Sequence, residues 1–252
     1  MLNQKNKFLI IGGNSLIGKY IFNYLSSKNE EVYSTTRNNE ININEFYLNL
    51  EDIKDFNFSD SIVFFCASVS SIKTCEDNIQ FTNLVNVENT NKLINRLNKN
   101  NCKIIYFSSH AVFDGKKEYF SENDVTSPIC NYGVQKVLVE NELKKDPNNM
   151  IVRLTKVISK ESKFISNWLT NIENNQSIFA FKDLYLSPIS LSYIVKNIFK
   201  FQDKIIHLSG NKQFSYYEFC IKFIQYFGHD LKLIKPTTSD KNVLFNPKYC
   251  TL

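Results

Sequence analysis

Tyr132-Gly133-Val134-Gln135-Lys136 sets a phenol and an ammonium four residues apart. On a helix that spacing puts both side chains on one face, within reach of one small molecule. A free phenol titrates near ~10, too high for easy proton exchange at neutral pH. A nearby ammonium favours phenolate, so Lys136 is expected to bring Tyr132 down. Such a pair can give a proton to a carbonyl oxygen as hydride reaches its carbon, or remove one in the reverse direction. A Tyr-x-x-x-Lys string is common by itself. Its weight here comes from Phe107-Ser108-Ser109-His110, which closes an apolar run at 102–108 and offers the Ser109 hydroxyl to the same carbonyl.

A hydride carrier needs its own cradle. Gly12-Gly13-Asn14-Ser15-Leu16-Ile17-Gly18 follows the apolar run Phe8-Leu9-Ile10-Ile11 and opens a helical pattern through Tyr20, Ile21, Tyr24 and Leu25. Between strand and helix, glycines permit a tight turn, close backbone approach to a pyrophosphate, and close helix packing. The helix N-terminus adds free N–H groups and partial positive charge. Ser15 stands where the usual spacing has glycine, and is expected to crowd the phosphate approach. A carboxylate ending the second strand would hold the ribose 2′-hydroxyl of NAD. The chain instead reads Thr35-Thr36-Arg37-Asn38. The planar guanidinium of Arg37 can pair with a 2′-phosphate, so NADP(H) is preferred and NAD(H) stays open.

The elements that must position these groups follow from periodicity. Apolar runs at 8–11, 31–36, 61–66, 102–108, 150–154 and 204–208 read as buried strands. Helical patterns span 81–97, 192–201 and 216–227, and Pro128 is expected to open another that ends before Asp146-Pro147. The alternation predicts an α/β fold, a Rossmann doubly wound parallel sheet with helices on both faces. After Lys156 the pattern loosens into a helix around Phe164-Trp168-Leu169 and a strand at 177–181. We therefore expect a dinucleotide-binding domain over 1–158, with a return strand at about 204–209, interleaved with a small C-terminal substrate-binding subdomain over 159–252.

The 252 residues suffice for one large domain; 43% are hydrophobic and 22% charged, as in ordinary globular chains. The net charge of +5 is dispersed rather than gathered on one basic face, so no nucleic-acid partner is expected. Six cysteines show no CxxC pair, and several lie in apolar runs, which reads as buried thiols in a reducing compartment. His207 and His229 lack neighbours at metal-ligand spacing, so no metal site is expected. No apolar stretch is long enough for a signal peptide or a membrane span, and the expected place is the cytoplasm.

With these residues in hand, the chain resembles the extended short-chain dehydrogenases/reductases of the NAD-dependent epimerase/dehydratase superfamily, and within them the dTDP-4-dehydrorhamnose reductase-like group. The resemblance spans nearly the whole chain. It rests on Gly12 to Gly18, Cys66-Ala67, Asn86-Val87-Glu88-Asn89-Thr90, Ser108-Ser109-His110-Ala111-Val112-Phe113-Asp114-Gly115, Tyr119-Phe120-Ser121-Glu122, Pro128, Tyr132-Gly133, Lys136 and Glu140. Val-Phe-Asp-Gly is the most distinctive piece, since relatives that epimerise usually carry Tyr-Gly there. The resemblance implies hydride delivery from NADPH to a keto carbon of a nucleotide-linked deoxysugar. Tyr132 is then the proton donor, Lys136 tunes it and holds the nicotinamide ribose, and Ser109 positions the carbonyl. Gly12, Asn14, Ser15, Leu16, Ile17, Gly18, Arg37, Cys66, Ala67 and Ser68 would line the cofactor along with Tyr132 and Lys136. Ser70, Ser109, His110, Phe113 and Lys156 would face the substrate. A homodimer is the family expectation.

The chain departs from the group at three points. Ser109-His110 replaces a frequent Thr-Asp, so the hydroxyl stays and the acid is lost; His110 reads as a structural or substrate-side residue. Lys156 replaces an aromatic often found near the sugar, and could reach a diphosphate or a carboxylate. The chain stops at Leu252 where relatives usually continue, which would leave part of the cap missing or supplied by a partner. Two other functions stay open: a nucleotide-sugar epimerase with tightly held NAD(P), and a non-catalytic NADP-binding regulatory subunit. A 4,6-dehydratase would want acids beside Ser109, and His110-Ala111 supplies none.

Overall fold

The computed structural model describes residues 6–38, 40–54, 56–239 and 247–252. The first half runs β1 (Lys7–Ile11), α1 (Leu16–Ser27), β2 (Glu31–Thr36), β3 (Glu45–Tyr47), β4 (Ile62–Phe65), α2 (Ile72–Asp77), α3 (Ile79–Asn83), α4 (Thr90–Lys99), β5 (Lys103–Ser109) and α5 (Asn131–Leu143). The second half runs β6 (Met150–Leu154), β7 (Lys156–Ile158), α6 (Lys163–Glu173), β8 (Ile178–Phe181), β9 (Tyr185–Leu186), β10 (Pro188–Ser190), α7 (Leu191–Ile198), β11 (Ile205–Leu208), β12 (Phe214–Ser215), α8 (Tyr216–Tyr226) and β13 (Ile234–Thr237).

Seven strands form one sheet in the order β11-β6-β5-β4-β1-β2-β3, parallel throughout. The strand order reverses between β1 and β4, and the crevice outside their carboxyl ends is where ligands bind in such sheets. Alternation along the strands divides the core. Leu9, Ile11, Val63, Phe65, Ile104 and Tyr106 face the α4 and α5 side, packing on Leu93, Leu97 and Val139. Phe8, Ile10, Phe64, Ile105 and Phe107 face α1 and α7, packing on Ile21, Leu25, Ile194 and Ile198. A sheet covered on both faces needs strands apolar on both faces, which is what the short continuous runs encode. A third cluster joins Ile165 and Trp168 of α6, Phe219 and Ile224 of α8, and the parallel pair β8-β13.

Three sequence expectations are corrected here. Pro128 does not open the helix: α5 starts at Asn131, with Cys130 as N-cap. Pro128 lies in extended chain before it, against Gly133, where any β-carbon would also strike the Ala111 carbonyl. The helical pattern at 81–97 is not one regular helix: a π-helical turn, Leu84–Asn89, joins α3 to α4. There the Thr90 hydroxyl donates to the Val85 carbonyl five residues back at 2.9 Å, and the added residue re-aims the turn. The edge strand β3 escaped the reading, since three residues after an Asn-rich stretch leave no periodicity to find.

Candidate active site

The glycine turn is held from β2. Gly12 N donates to the Thr35 hydroxyl at 3.0 Å, Gly13 N to the Thr35 carbonyl at 3.0 Å, and the Asn14 amide to the Thr36 hydroxyl at 2.9 Å. Gly12 has φ +87°, and a β-carbon there would run into the backbone of Ala67. This is the close approach that only glycine allows. Ser15 does not crowd the turn as expected: its hydroxyl faces the helix as N-cap of α1 and accepts from Gly18 N at 3.1 Å. The other first-turn N–H groups of a helix lack intrahelical acceptors and are open to a pyrophosphate; the Leu16 side chain lines the cavity here, while Ile17 packs on the α1-side core. The residues present thus fit a dinucleotide.

Arg37 extends from the end of β2 into solvent, its side chain 72% exposed, with Nη1 3.4 Å from Glu51 Oε1. The carboxylate missing from the local sequence is therefore brought to this spot from beyond β3, which strand-by-strand reading could not reveal.

Tyr132 sits in the first turn of α5, half-buried, with the Ser68 and Ser109 hydroxyls near enough to its phenol to favour the phenolate. Ser109 ends β5, and its oxygen also accepts from Ala111 N at 3.1 Å. The helix is anchored from α2: Glu76 accepts from Asn131 N at 2.7 Å and from the Asn131 side-chain amide. A carboxylate at a helix N-terminus is favourable, and this one fixes the turn carrying Tyr132. Behind it, the Gln135 amide donates to Thr82 at 2.8 Å and Asn83 at 3.0 Å and accepts from Asn86 at 2.8 Å. Asn86, placed by the π turn, also accepts from Val69 N at 2.8 Å and donates to Val69 O at 2.9 Å. The α5 helix and the Ser68 loop are thereby locked to each other.

Lys136 is buried, and its ammonium donates to the Phe107 carbonyl at 2.9 Å and the Tyr106 hydroxyl at 3.1 Å. It lies 5.6 Å from the Tyr132 ring centroid and 4.5 Å from that of Tyr106. Burial pulls Lys136 down to about 8, partly offset by Glu140 one turn along. The expectation that Lys136 lowers Tyr132 is corrected. Burial pushes the Tyr132 phenol well above its ordinary value, with the Ser68 and Ser109 hydroxyls pulling only partly against it. The physical reason is burial; the Lys136 ammonium, turned to Tyr106 and Phe107, is not among the groups acting on the phenol.

Ser109, His110 and Tyr132 face a cavity of about 370 Å3, closed by Lys156 beyond β6 and by Tyr185 and Tyr216. A second cavity of about 550 Å3 shares Ser70, Lys156 and Val157 with it and reaches Leu16 at the glycine turn. The two cavities thus adjoin along Ser70, Lys156 and Val157. Burial, with a smaller push from Lys156, lowers His110 to about 4 despite its bond to the Leu154 carbonyl; the ring is neutral at pH 7. Phe113, expected to face the substrate, is instead 1% exposed and stacks on Phe120 at 4.2 Å between ring centroids, with the Arg153 guanidinium at 5.0 Å. The short helical turn His110–Val112 swings it under the loop, away from the cavity. Cys66, at the end of β4, packs into the α1-side core, and burial raises its thiol. Among the described residues no cluster of three or more His, Cys, Asp or Glu could hold a metal ion, and no helix is long and apolar enough to cross a membrane.

Comparison with known proteins places these features in context. A family model described as "RmlD substrate binding domain" matches residues 6–250. A dTDP-4-dehydrorhamnose reductase of Aggregatibacter actinomycetemcomitans is 24% identical over 65% of this chain; the match spans 60% of that relative's length. The methionine adenosyltransferase 2 subunit beta of Xenopus tropicalis is 25% identical over 92% of this chain and 75% of its own. A crystal structure of the Bacillus anthracis dTDP-4-dehydrorhamnose reductase in complex with NADP superposes with a TM-score of 0.83 at 20% identity, covering 98% of this chain and 89% of that one. At that identity the superposition speaks for the fold.

Proposed function

Because this chain belongs to the RmlD substrate binding domain family, we propose that it is an NADPH-dependent reductase of a nucleotide-linked keto-deoxysugar, with Tyr132 as proton donor. The observation that carries this reading is the gathering of Ser109 and Tyr132 at the wall of one cavity, beside a second that reaches Leu16 at the glycine turn. Bound NADPH supplies the hydride. Ser109 holds the keto oxygen, Tyr132 passes its phenolic proton to that oxygen as negative charge develops, and Lys136 orients the ring and the ribose side of the site. The test is a screen of nucleotide-linked 4-keto sugars, following NADPH absorbance with product identification. One NADPH consumed per reduced sugar is expected; product without net oxidation would mean an epimerase.

The α6, α8 and β8-β13 cluster is the substrate-binding subdomain in this reading. A second reading, an NADP-binding subunit without chemistry of its own, is favoured by the similarity to a methionine adenosyltransferase subunit. Firm NADPH binding with no turnover of any keto sugar would select it.

Two further outcomes are expected. Lys136 carries its charge below about 8 and loses it as pH rises through that value. The kcat/KM for NADPH, which reports the free enzyme, should therefore fall on an alkaline limb near 8. Lys136→Met should start lower and show no such limb; an unchanged limb would assign it to another group. At the adenosine end, Arg37→Ala should weaken NADPH and spare NADH, while Glu51→Gln, which frees the guanidinium, should strengthen NADPH. An exposed pair of this kind is worth ~0–1 kcal/mol, so the Glu51 effect should stay within about fivefold. Tighter NADH than NADPH in the unaltered protein would refute the preference.

A further inference from the structure

Both cavities are lined without any Asp or Glu among the described residues, yet Lys156 borders both and Lys163 borders the outer one. The Lys156 ammonium lies 5.4 Å from the Phe164 ring centroid. Lys156 is exposed at the cavity wall, and the part of its water shell lost there holds it below the usual lysine range. An oxyanion entering either cavity would gain a charge-assisted hydrogen bond from this ammonium. No carboxylate among the described lining residues competes for it. The position is specific as well: Lys156 shares the inner cavity with Ser109 and Tyr132, while Lys163 shares only the outer one with Ser162, Asn167 and Leu16.

We propose that Lys156 is a specificity-determining residue that holds an oxyanion of the nucleotide-sugar substrate, a phosphate or a carboxylate carried on the sugar, beside the reacting centre. The inference rests on the nucleotide-sugar reading of the site. It adds that the substrate reaches the inner cavity with a negative charge, and that neutral keto sugars lacking a diphosphate are excluded. The Phe164 ring flanks the ammonium, and both line the outer cavity.

The test measures dissociation constants of UDP, UDP-glucose and UDP-glucuronic acid by calorimetry on the full chain with NADPH present. The unaltered protein, Lys156→Met and Lys156→Arg are compared. A lost charge-assisted hydrogen bond corresponds to about a tenfold to hundredfold weakening. Equal weakening of all three probes by Lys156→Met assigns the diphosphate; weakening confined to UDP-glucuronic acid assigns a sugar carboxylate. Lys156→Arg should recover most of the affinity in either case, and the melting temperature of Lys156→Met should match the parent. Affinities unchanged by Lys156→Met overturn the inference while the nucleotide-sugar reading stands. In parallel, acylation of Lys156 is followed by mass spectrometry with and without inorganic pyrophosphate or glucuronate. Protection without any nucleotide-sugar binding would sustain the oxyanion site and remove the nucleotide-sugar reading; no protection and no binding would remove both.

Discussion

Tyr132→Phe is expected to lower NADPH-dependent turnover by about 100- to 10,000-fold, the range for losing a positioned general acid, and to leave NADPH affinity within about twofold. The phenol ring stays, so the packing of α5 against the β5 end is kept; only the hydroxyl beside Ser68 and Ser109 is removed. The Lys136 ammonium is held independently by Phe107 and Tyr106, so it should not move when that hydroxyl goes. Single-turnover kinetics with a reactive keto sugar, beside a fluorescence titration of NADPH, separates the two effects. Turnover within a factor of ten of the parent would show that another group delivers the proton. Parallel loss of turnover and of NADPH affinity would mean the hydroxyl is structural.

That Ser109, Tyr132 and Lys136 come together was legible because the parts of the pattern are local. A four-residue spacing on one helix, a glycine turn between strand and helix, and a hydroxyl at a strand end are each encoded in adjacent residues. The parallel sheet was legible for the same reason: each buried strand is a short apolar run. What stayed hidden is supplied across the chain. Glu76 anchors the first turn of α5 from 55 residues away. Glu51 reaches Arg37 from beyond β3. The Asn86–Gln135 bond depends on a π turn that no hydrophobic period announces. The acidity of Tyr132 was misjudged because spacing fixes where an ammonium starts but not which acceptor it chooses. Here the Phe107 carbonyl and the Tyr106 hydroxyl, both on β5, win it. Phe113 was misplaced for a related reason: a segment that resembles a substrate loop in sequence also carries the aromatic floor beneath it.

That floor leads to the largest stability effect we expect. Arg153, 1% exposed on β6, pairs both of its donor edges with Glu140 of α5, which is fully buried: Nε to Oε1 at 3.0 Å and Nη2 to Oε2 at 2.7 Å. Ser108 donates to the same carboxylate at 2.6 Å. The remaining Arg153 nitrogen meets the Glu122 carbonyl at 3.4 Å and His207 Nε2 at 3.2 Å, tying β5, α5, β6, β11 and the 119–122 loop into one network. Glu140→Leu leaves a guanidinium in the interior without its counter-ion, a loss of ~3–5 kcal/mol for a broken buried pair. In a chain of this size each kcal/mol shifts the midpoint by ~2–4 °C, so melting should fall by roughly 6–20 °C. Arg153→Met should cost a similar amount by stranding the carboxylate. The double replacement should recover part of either loss, because two apolar side chains remove both stranded charges together. The network would carry no such weight if Glu140→Leu melted within about 2 °C of the parent, by the same conversion of stability to midpoint. If the double variant lost the sum of the two singles, the residues would be acting separately rather than as a pair. Because Ser108 precedes Ser109 on β5 and Glu140 lies one turn beyond Lys136 on α5, the same variants should also loosen the reacting centre. Glu140→Leu is therefore expected to lose turnover below its new melting range, and the double variant to regain stability sooner than activity.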